Sequence, residues 1–260
     1  MNKAAGIIPA RWSSTRFPGK PLHLIAGKAL LRRVLDRCER AKNLDSVIVA
    51  TDDMRIAEAA FNWGAEVALT STSHCSGTDR IAEVARTAKQ FAFIVNIQGD
   101  EPLVDPQLID KIVEKLRADR TIQIVTAAHR FEHPEEALSP HQVKVVVDRA
   151  GNALYFSRAP IPFQCARRGG GQSAEQQKGH SLSLRHQGIY GFCRSALLRF
   201  VKWKPTPLER AESLEQLRAL ENGVTVHVLI TAKGSPGIDT PSDAKALEQK
   251  LARAKGRISR

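Results

Sequence analysis

Aromatic residues are scarce in this 260-residue chain: three Trp, two Tyr and nine Phe make up 5% of it. A protein that stacks bases along a groove needs such side chains in number, so a single-stranded nucleic-acid platform is not indicated. Cysteines are few and scattered. Cys38, Cys75, Cys165 and Cys193 form no CxxC pair, so neither a zinc knuckle nor a disulfide framework underlies the fold, and reduced thiols in or near the core are expected. No run reaches the ~18 uninterrupted apolar residues of a membrane span. The apolar stretch 4–10 contains Pro9 and is followed at once by Arg11, too short for a signal peptide. The sequence therefore reads as cytoplasmic, with no membrane insertion.

What is present is an ordinary globular composition, 42% hydrophobic and 25% charged, with an excess of base: 39 Lys plus Arg against 27 Asp plus Glu, a net charge of +12. Much of that excess lies between 244 and 260, where six cations face Glu248 alone. This portion reads as a solvated basic tail. Charge alone would also allow a non-enzymatic anion or nucleic-acid binder. No helix-turn-helix pattern or metal finger accompanies the basic residues, so no nucleic-acid partner is expected.

The first half alternates as a parallel sheet requires. Apolar runs at 5–8, 47–50, 67–69 and 93–97 are each followed by helical spacing, at 30–40, 54–63, 79–88 and 106–116. Runs apolar on both faces predict strands buried between two helical layers, hence an open, mostly parallel, doubly wound α/β sheet. The second half predicts strands at 124–128, 143–147, 153–156, 189–192 and 224–230 and helices at 195–203 and 207–220. It also predicts a loop through Gly169–Gly171 and 172–179, and a last helix opened by Thr240 and Pro241. No internal repeat or disordered linker is apparent.

In such sheets ligands bind outside the carboxyl ends of the strands. Directly after the first strand comes PARWSSTRFPGKPL, residues 9–22, with three cations, three hydroxyls and a glycine. That donor set suits a polyphosphate, although it matches neither a Walker A loop nor GxGxxG. The fourth strand ends in QGDEP, residues 98–102. A carboxylate leaving a sheet opposite a phosphate loop is placed to hold Mg²⁺, and Asp100 is preferred to Glu101. Mg²⁺ commonly takes one or two carboxylates and completes its shell with phosphate oxygens and water. Asp239 of GIDTP is the second candidate; by itself it is also an ordinary helix-start residue.

Taken in order, IIPARWSSTRFPGKPL, SGTDRIAEV, VNIQGDEP, VKVVVD, ALYFSRAPIP, LRHQGIYGF, PLERAESLEQLR and PGIDTPSD resemble the 3-deoxy-manno-octulosonate (Kdo) cytidylyltransferase family from about residue 5 to about 251. The resemblance implies a nucleotide-diphospho-sugar transferase type of fold with a smaller sugar-binding and dimerisation lobe. One α/β domain would hold a CTP-binding half (about 1–120), a sugar-binding and dimerisation half (about 121–243), and a C-terminal helix with its tail (244–260). It implies a homodimer that makes CMP-Kdo and diphosphate from CTP and Kdo with Mg²⁺, for lipopolysaccharide assembly.

Carried over by motif, Arg11, Ser14, Arg16 and Lys20 would hold the triphosphate. Pro9, Ala10, Ser76, Gly77, Arg80 and Gln98 complete the CTP side. Gln98, Arg158, His186, Tyr190, Glu215 and Gln216 would surround the acid sugar, and Asp100 and Asp239 would hold the metal. Lys20, Arg11, Arg16 and Asp100 would act on the reacting phosphates, and no separate general base is assigned. Arg158 also has a chemical reason, since guanidinium pairs bidentately with a carboxylate. Three departures stand out: Ala29 where proline is common, Gln187 in place of leucine, and no family pattern in 167–183. QGDEP and LRHQGIYG point to Kdo; the alternative is its 8-amino analogue or another acidic ulosonate.

Overall fold

Strand β1 (Lys3–Ala10) is the pivot of the architecture, and its side chains show why the sheet has helices on both faces. In this computed structural model, which describes residues 2–13, 16–163 and 182–258 (backbone alone for 254–258), alternate β1 residues enter two separate cores. Ala5 and Ile7 join a cluster with Ile81 and Leu197, whereas Ala4 and Ile8 join Leu31, Ile56 and Ile109. Period-two alternation between two apolar layers is what a doubly wound sheet demands.

Chain order builds it as follows. β1 is followed by the short ribbon β2 (Leu24–Ile25) and β3 (Lys28–Ala29), α1 (Leu30–Cys38), β4 (Ser46–Thr51), α2 (Met54–Asn62), β5 (Glu66–Leu69) and α3 (Gly77–Thr87). Then come β6 (Phe91–Asn96), α4 (Pro106–Ala118), β7 (Ile124–Arg130), β8 (Lys144–Val147), β9 (Ala153–Ser157) and β10 (Leu184–Cys193). α5 (Arg194–Phe200), α6 (Pro207–Glu212), α7 (Leu217–Glu221), β11 (Val226–Thr231) and α8 (Pro241–Ile258) close the chain.

The strand order is β11-β7-β10-β6-β1-β4-β5. β1 pairs in parallel with both β4 and β6, so the winding reverses between β1 and β6 and leaves a crevice at their carboxyl ends. β10 runs antiparallel to β6 and β7, and β8 and β9 extend from it as an antiparallel ribbon, so the parallel character is interrupted in the second half. A third apolar cluster, with Phe17, Ile25, Leu30, Ile238, Ala244 and Leu247, binds α8 to the ribbon and to the loop after β1.

Two expectations need correction. The helix predicted over 207–220 is two short helices, because Ser213 takes a left-handed conformation (φ 52°) and turns Leu214 into the core. Glu209 is drawn to the amide of Thr206 and to Arg218 rather than along a continuing helix face. The helix expected from 79 starts instead at Gly77, because Ser76 caps it by accepting from the amide of Asp79 at 3.1 Å. Of the cysteines, Cys38 is buried, Cys193 is half-buried and Cys75 is exposed. Cys165, Ser14 and the predicted 169–179 loop lie outside the described residues.

Candidate active site

The loop after β1 is held in one path by its neighbours. The Gly19 amide donates to the Trp12 carbonyl at 3.1 Å. Gly19 is left-handed (φ 69°), and a Cβ there would come within 3.1 Å of the indole of Trp12, so only glycine allows this approach. On the other side the Arg55 guanidinium lies 3.5 Å over the Trp12 ring, and Phe17 anchors the loop in the third apolar cluster. With its apolar residues turned inward, the loop presents Arg11, Arg16 and Lys20 to a cleft.

The carboxylates arrive from two elements. Gly99, after β6, packs so closely under β1 that a Cβ would lie 3.0 Å from the Pro9 carbonyl, and Asp100 follows into the cleft. The amide of Ile238 donates to the Asp100 carbonyl at 2.9 Å, which sets Asp239 beside it. Asp243 fixes the backbone there by accepting from the amides of Asp239 (3.0 Å) and Thr240 (2.8 Å). Lys20 Nζ then lies 2.7 Å from Asp100 and 3.6 Å from Asp239, and Arg16 lies 3.2 Å from Asp239. Residues 139 positions apart thus share one cation.

Two oxygen-donor carboxylates around the Lys20 ammonium, with Arg11 and Arg16 of the same loop lining the cleft, fit a Mg²⁺ that takes its other ligands from phosphate oxygens and water. Among the described residues no group of three or more His, Cys, Asp or Glu gathers as a closed metal cage. Glu101 turns inward: burial, reinforced by the Asp100 charge and opposed by Arg185, pushes its carboxyl up to about 8. Asp100, not Glu101, therefore faces the cleft.

The opposite wall is the start of α3. Ser76, Gly77 and Arg80 line it, and Gly77 touches Pro9 of β1 closely, its Cβ position being 3.2 Å from the proline ring. Arg80 is buried; it donates to Asp52 at 2.9 Å and to Thr70 Oγ1 at 2.5 Å. The cleft, of about 940 Å³ and open to solvent, brings together every residue assigned to CTP or metal within the described part of the chain. It also contains His74 and Cys75, which the sequence reading left out.

A second, small hollow, of about 30 Å³, lies across α3 and is lined by Thr78, Tyr190, Glu215, Gln216 and apolar neighbours. Gln98 belongs to the first cleft and donates to the Gly188 carbonyl at 3.0 Å, connecting the end of β6 to β10. Glu215 accepts from Thr78 Oγ1 at 2.6 Å; burial raises its carboxyl, with Thr78, Arg218 and Ser76 opposing. Burial and the nearby Glu215 hold the Tyr190 phenol well above its ordinary value. Burial lowers His186 to about 3, so its imidazole is neutral at working pH; it pairs with Thr126 Oγ1 at 3.0 Å and packs against Phe156 and Tyr190. His186 supports Tyr190 from behind rather than lining the hollow.

Arg158 departs from expectation, since it lines neither cavity. Its guanidinium donates to the carbonyls of Glu212 (2.8 Å), Pro140 (3.1 Å) and Ser213 (3.4 Å). Glu212 also accepts from the Ser157 hydroxyl and the Arg158 amide, tying the end of β9 to the α6–α7 junction. Three of its five N–H groups are thus given to backbone carbonyls, which fix the guanidinium at this junction. Gln187, the departure from leucine, is buried and donates to Thr231 Oγ1 at 2.7 Å. Asp52, which pairs with Arg80, and Thr78, which lines the second hollow, are neighbours that sequence reasoning missed; Thr78 lies inside SGTDRIAEV, beside the residues that were singled out there.

A polyphosphate loop and a carboxylate pair across the switch point of a doubly wound sheet define a nucleotidyltransferase. The cytidylyltransferase family model matches residues 5–228. Over 251 residues the chain is 47% identical to the 3-deoxy-manno-octulosonate cytidylyltransferase of Geobacter metallireducens, covering 96% of this chain and 98% of that protein. The corresponding protein of Solibacter usitatus is 46% identical over 247 residues, covering 95% and 94%. A solved structure of CMP:2-keto-3-deoxy-manno-octonic acid synthetase complexed with CTP matches with a TM-score of 0.88 and 36% identity, over 97% of this chain and all of that one. A cytidylyltransferase from Leptospira borgpetersenii, at 19% identity and TM-score 0.64 over 97% of this chain and 88% of that one, shares the fold. The chain belongs to the 3-deoxy-manno-octulosonate cytidylyltransferase family.

Proposed function

We propose that this chain transfers CMP from CTP to the anomeric hydroxyl of Kdo, releasing diphosphate, with Mg²⁺ as cofactor. The observation that carries the reading is the meeting of Asp100 and Asp239 at Lys20, across the cleft from α3. Arg11, Arg16 and Lys20 neutralise the triphosphate. Ser76, Gly77 and Arg80 receive the nucleoside, with Pro9 and Ala10 forming the floor at the end of β1. Tyr190, Glu215 and Gln216 receive the sugar, and Gln98 spans the two sides. Arg158, fixed by backbone carbonyls at the end of β9, has N–H groups left for the sugar carboxylate, and His186 backs Tyr190 on the same side.

Both substrates are anionic, so the work of the site is to screen repulsion, orient the hydroxyl in line with the α-phosphorus, and hold the charge that develops on the departing diphosphate. Attack forms the sugar oxygen–phosphorus bond as the bond to the β-phosphate oxygen breaks. Lys20, released from the carboxylates by the incoming phosphates, follows the negative charge onto the leaving group. Bound at Asp100 and Asp239, Mg²⁺ would polarise the phosphoryl oxygens and lower the pKa of the attacking hydroxyl.

The CTP side lies mainly in about residues 1–120 and the sugar side mainly in about 121–243, with Asp239 lining the CTP cleft and Thr78 the second hollow. A homodimer is supported by exposed Leu138 (63%) and Phe163 (86%), which gather apolar surface beside Pro160 and Pro162. Among the described residues no helix is long and apolar enough to cross a membrane. The substrate assignment is tested by offering CTP and Mg²⁺ with Kdo, its 8-amino analogue and a sialic acid, and reading diphosphate release. Kdo should give the highest kcat/KM; a clear preference for either competitor would reassign the sugar.

A further inference from the structure

The segment 70–76 joins β5 to α3 without helix or strand of its own, yet it supplies His74, Cys75 and Ser76 to the wall of the cleft. An irregular, largely exposed segment can shape a binding wall only if something fixes it, because unfixed residues would be ordered at the expense of ligand affinity. Its two ends are secured: the Thr70 hydroxyl accepts from Arg80, and Ser76 caps α3. The middle is secured by one side chain. Glu83 Oε2 accepts from the Ser71 amide at 3.0 Å and pairs with His74 Nε2. The Ser71 hydroxyl in turn accepts from the Ser73 amide at 3.1 Å, so the turn that Glu83 grips is itself closed.

Glu83 stands on α3 three residues beyond Arg80, one helical turn along the same face, and does not line the cleft. Its carboxyl is held below the usual range, first by the bond to His74 and next by the Ser71 amide, in keeping with a carboxylate used as an acceptor.

We propose that Glu83 is a positioning residue for the nucleotide: through the Ser71 amide and the His74 imidazole it clamps the 70–76 segment onto α3 and so sets where His74 and Ser76 meet the nucleoside of CTP. This rests on the reading of the cleft as the CTP site. The test compares full-length wild type, Glu83→Ala and Glu83→Gln. Steady-state diphosphate release with CTP and Kdo is paired with alkylation of Cys75 by iodoacetamide, followed by peptide mass spectrometry.

Glu83→Ala should raise the KM for CTP roughly 10-fold, with kcat and the KM for Kdo within about threefold of wild type. Without nucleotide it should also speed Cys75 alkylation. Glu83→Gln keeps a carbonyl acceptor for the Ser71 amide and should recover most of both effects. An unchanged CTP KM in Glu83→Ala, or kcat and both KM values deteriorating together with a lowered Tm, overturns the positioning role. A wild type inert toward CTP overturns the proposed function itself, and this inference with it.

Discussion

Replacing Lys20 with alanine separates what this residue does for the fold from what it does for the reaction. In the free protein its side chain is 16% exposed and its ammonium lies 2.7 Å from Asp100 and 3.6 Å from Asp239. A hydrogen bond between charged groups contributes ~1.5–3 kcal/mol, and the leg to the more exposed Asp239 adds ~1 kcal/mol at most. Lys20→Ala should therefore destabilise the metal-free protein by about 2 kcal/mol, since two carboxylates are left facing one another without their cation. On the reaction, loss of a charge from the developing diphosphate should lower kcat/KM roughly 10- to 1000-fold, about 1.4–4 kcal/mol. Mg²⁺ distinguishes the two effects. With the ammonium gone, the carboxylate pair is free for the ion, so Mg²⁺ should raise the Tm of Lys20→Ala more than that of wild type, while activity stays low. Lys20→Arg should restore stability better than rate, because a planar fork does not reproduce a point charge on the leaving group. The measurements are thermal unfolding with and without Mg²⁺ and steady-state diphosphate release. Wild-type kcat/KM in Lys20→Ala would show that this loop does not act on the reacting phosphates, and an unaltered Mg²⁺ response would separate Lys20 from the metal site.

Three further outcomes follow from the same geometry. Asp100→Asn and Asp239→Asn should each lower kcat on the order of 100-fold or more, and the double variant should be little worse than the poorer single one if both serve one ion; multiplied losses in the kinetic cycle would assign them separate roles. Glu101 has a folded-state pKa near 8, above the ordinary 4.5, so its contribution to stability is complete below about pH 4.5 and is lost as pH rises towards 8. Glu101→Gln should flatten the fall in metal-free stability across that window, and urea unfolding at pH 5 and pH 8 that declines equally in both proteins would show that Glu101 is not buried as described. Trp12→Leu removes the stack between Arg55 and Gly19; exposed cation–π contacts contribute ~0.5–1 kcal/mol, so the KM for CTP should rise a few-fold with the KM for Kdo unchanged, and an unaltered CTP KM would remove Trp12 from the support of the phosphate loop.

The parallel half of the fold was legible because each strand there is apolar on both faces and each helix carries a regular apolar stripe, as Ile7 and Ile8 of β1 illustrate by entering opposite cores. β10 was only half visible. Its N-terminal part, LRHQG, is polar because those side chains are satisfied internally, by Thr126 for His186 and Thr231 for Gln187. The break at Ser213 left no local signal, since a left-handed serine is a consequence of burying Leu214 and anchoring Glu209. Most cleft residues were readable because they lie in a loop that follows a strand or at the opening of a helix, whereas His74 and Cys75, in the irregular segment between β5 and α3, carried no such signal. The surroundings of Arg158 were not legible: the carbonyls of Pro140, Glu212 and Ser213 that fix it come from segments whose approach no local pattern reveals. The Asp100–Asp239 pairing was suggested by the needs of Mg²⁺ and strengthened by resemblance, and it takes the amide of Ile238 and the burial of its side chain with α8 to give it a physical cause.

The central claim is that one cleft, formed by the loop after β1, the end of β6 and the start of α3, binds CTP for transfer to Kdo. Diphosphate release by the purified protein, with Kdo and Mg²⁺ and with CTP, ATP or GTP as the nucleotide, tests it most directly. A site that hydrogen-bonds one base edge leaves buried groups unpaired against another, so CTP should exceed either purine nucleotide by at least ~100-fold, and the activity should disappear with EDTA. Comparable turnover of ATP or GTP, or no release from CTP at any Mg²⁺ concentration, would contradict the account.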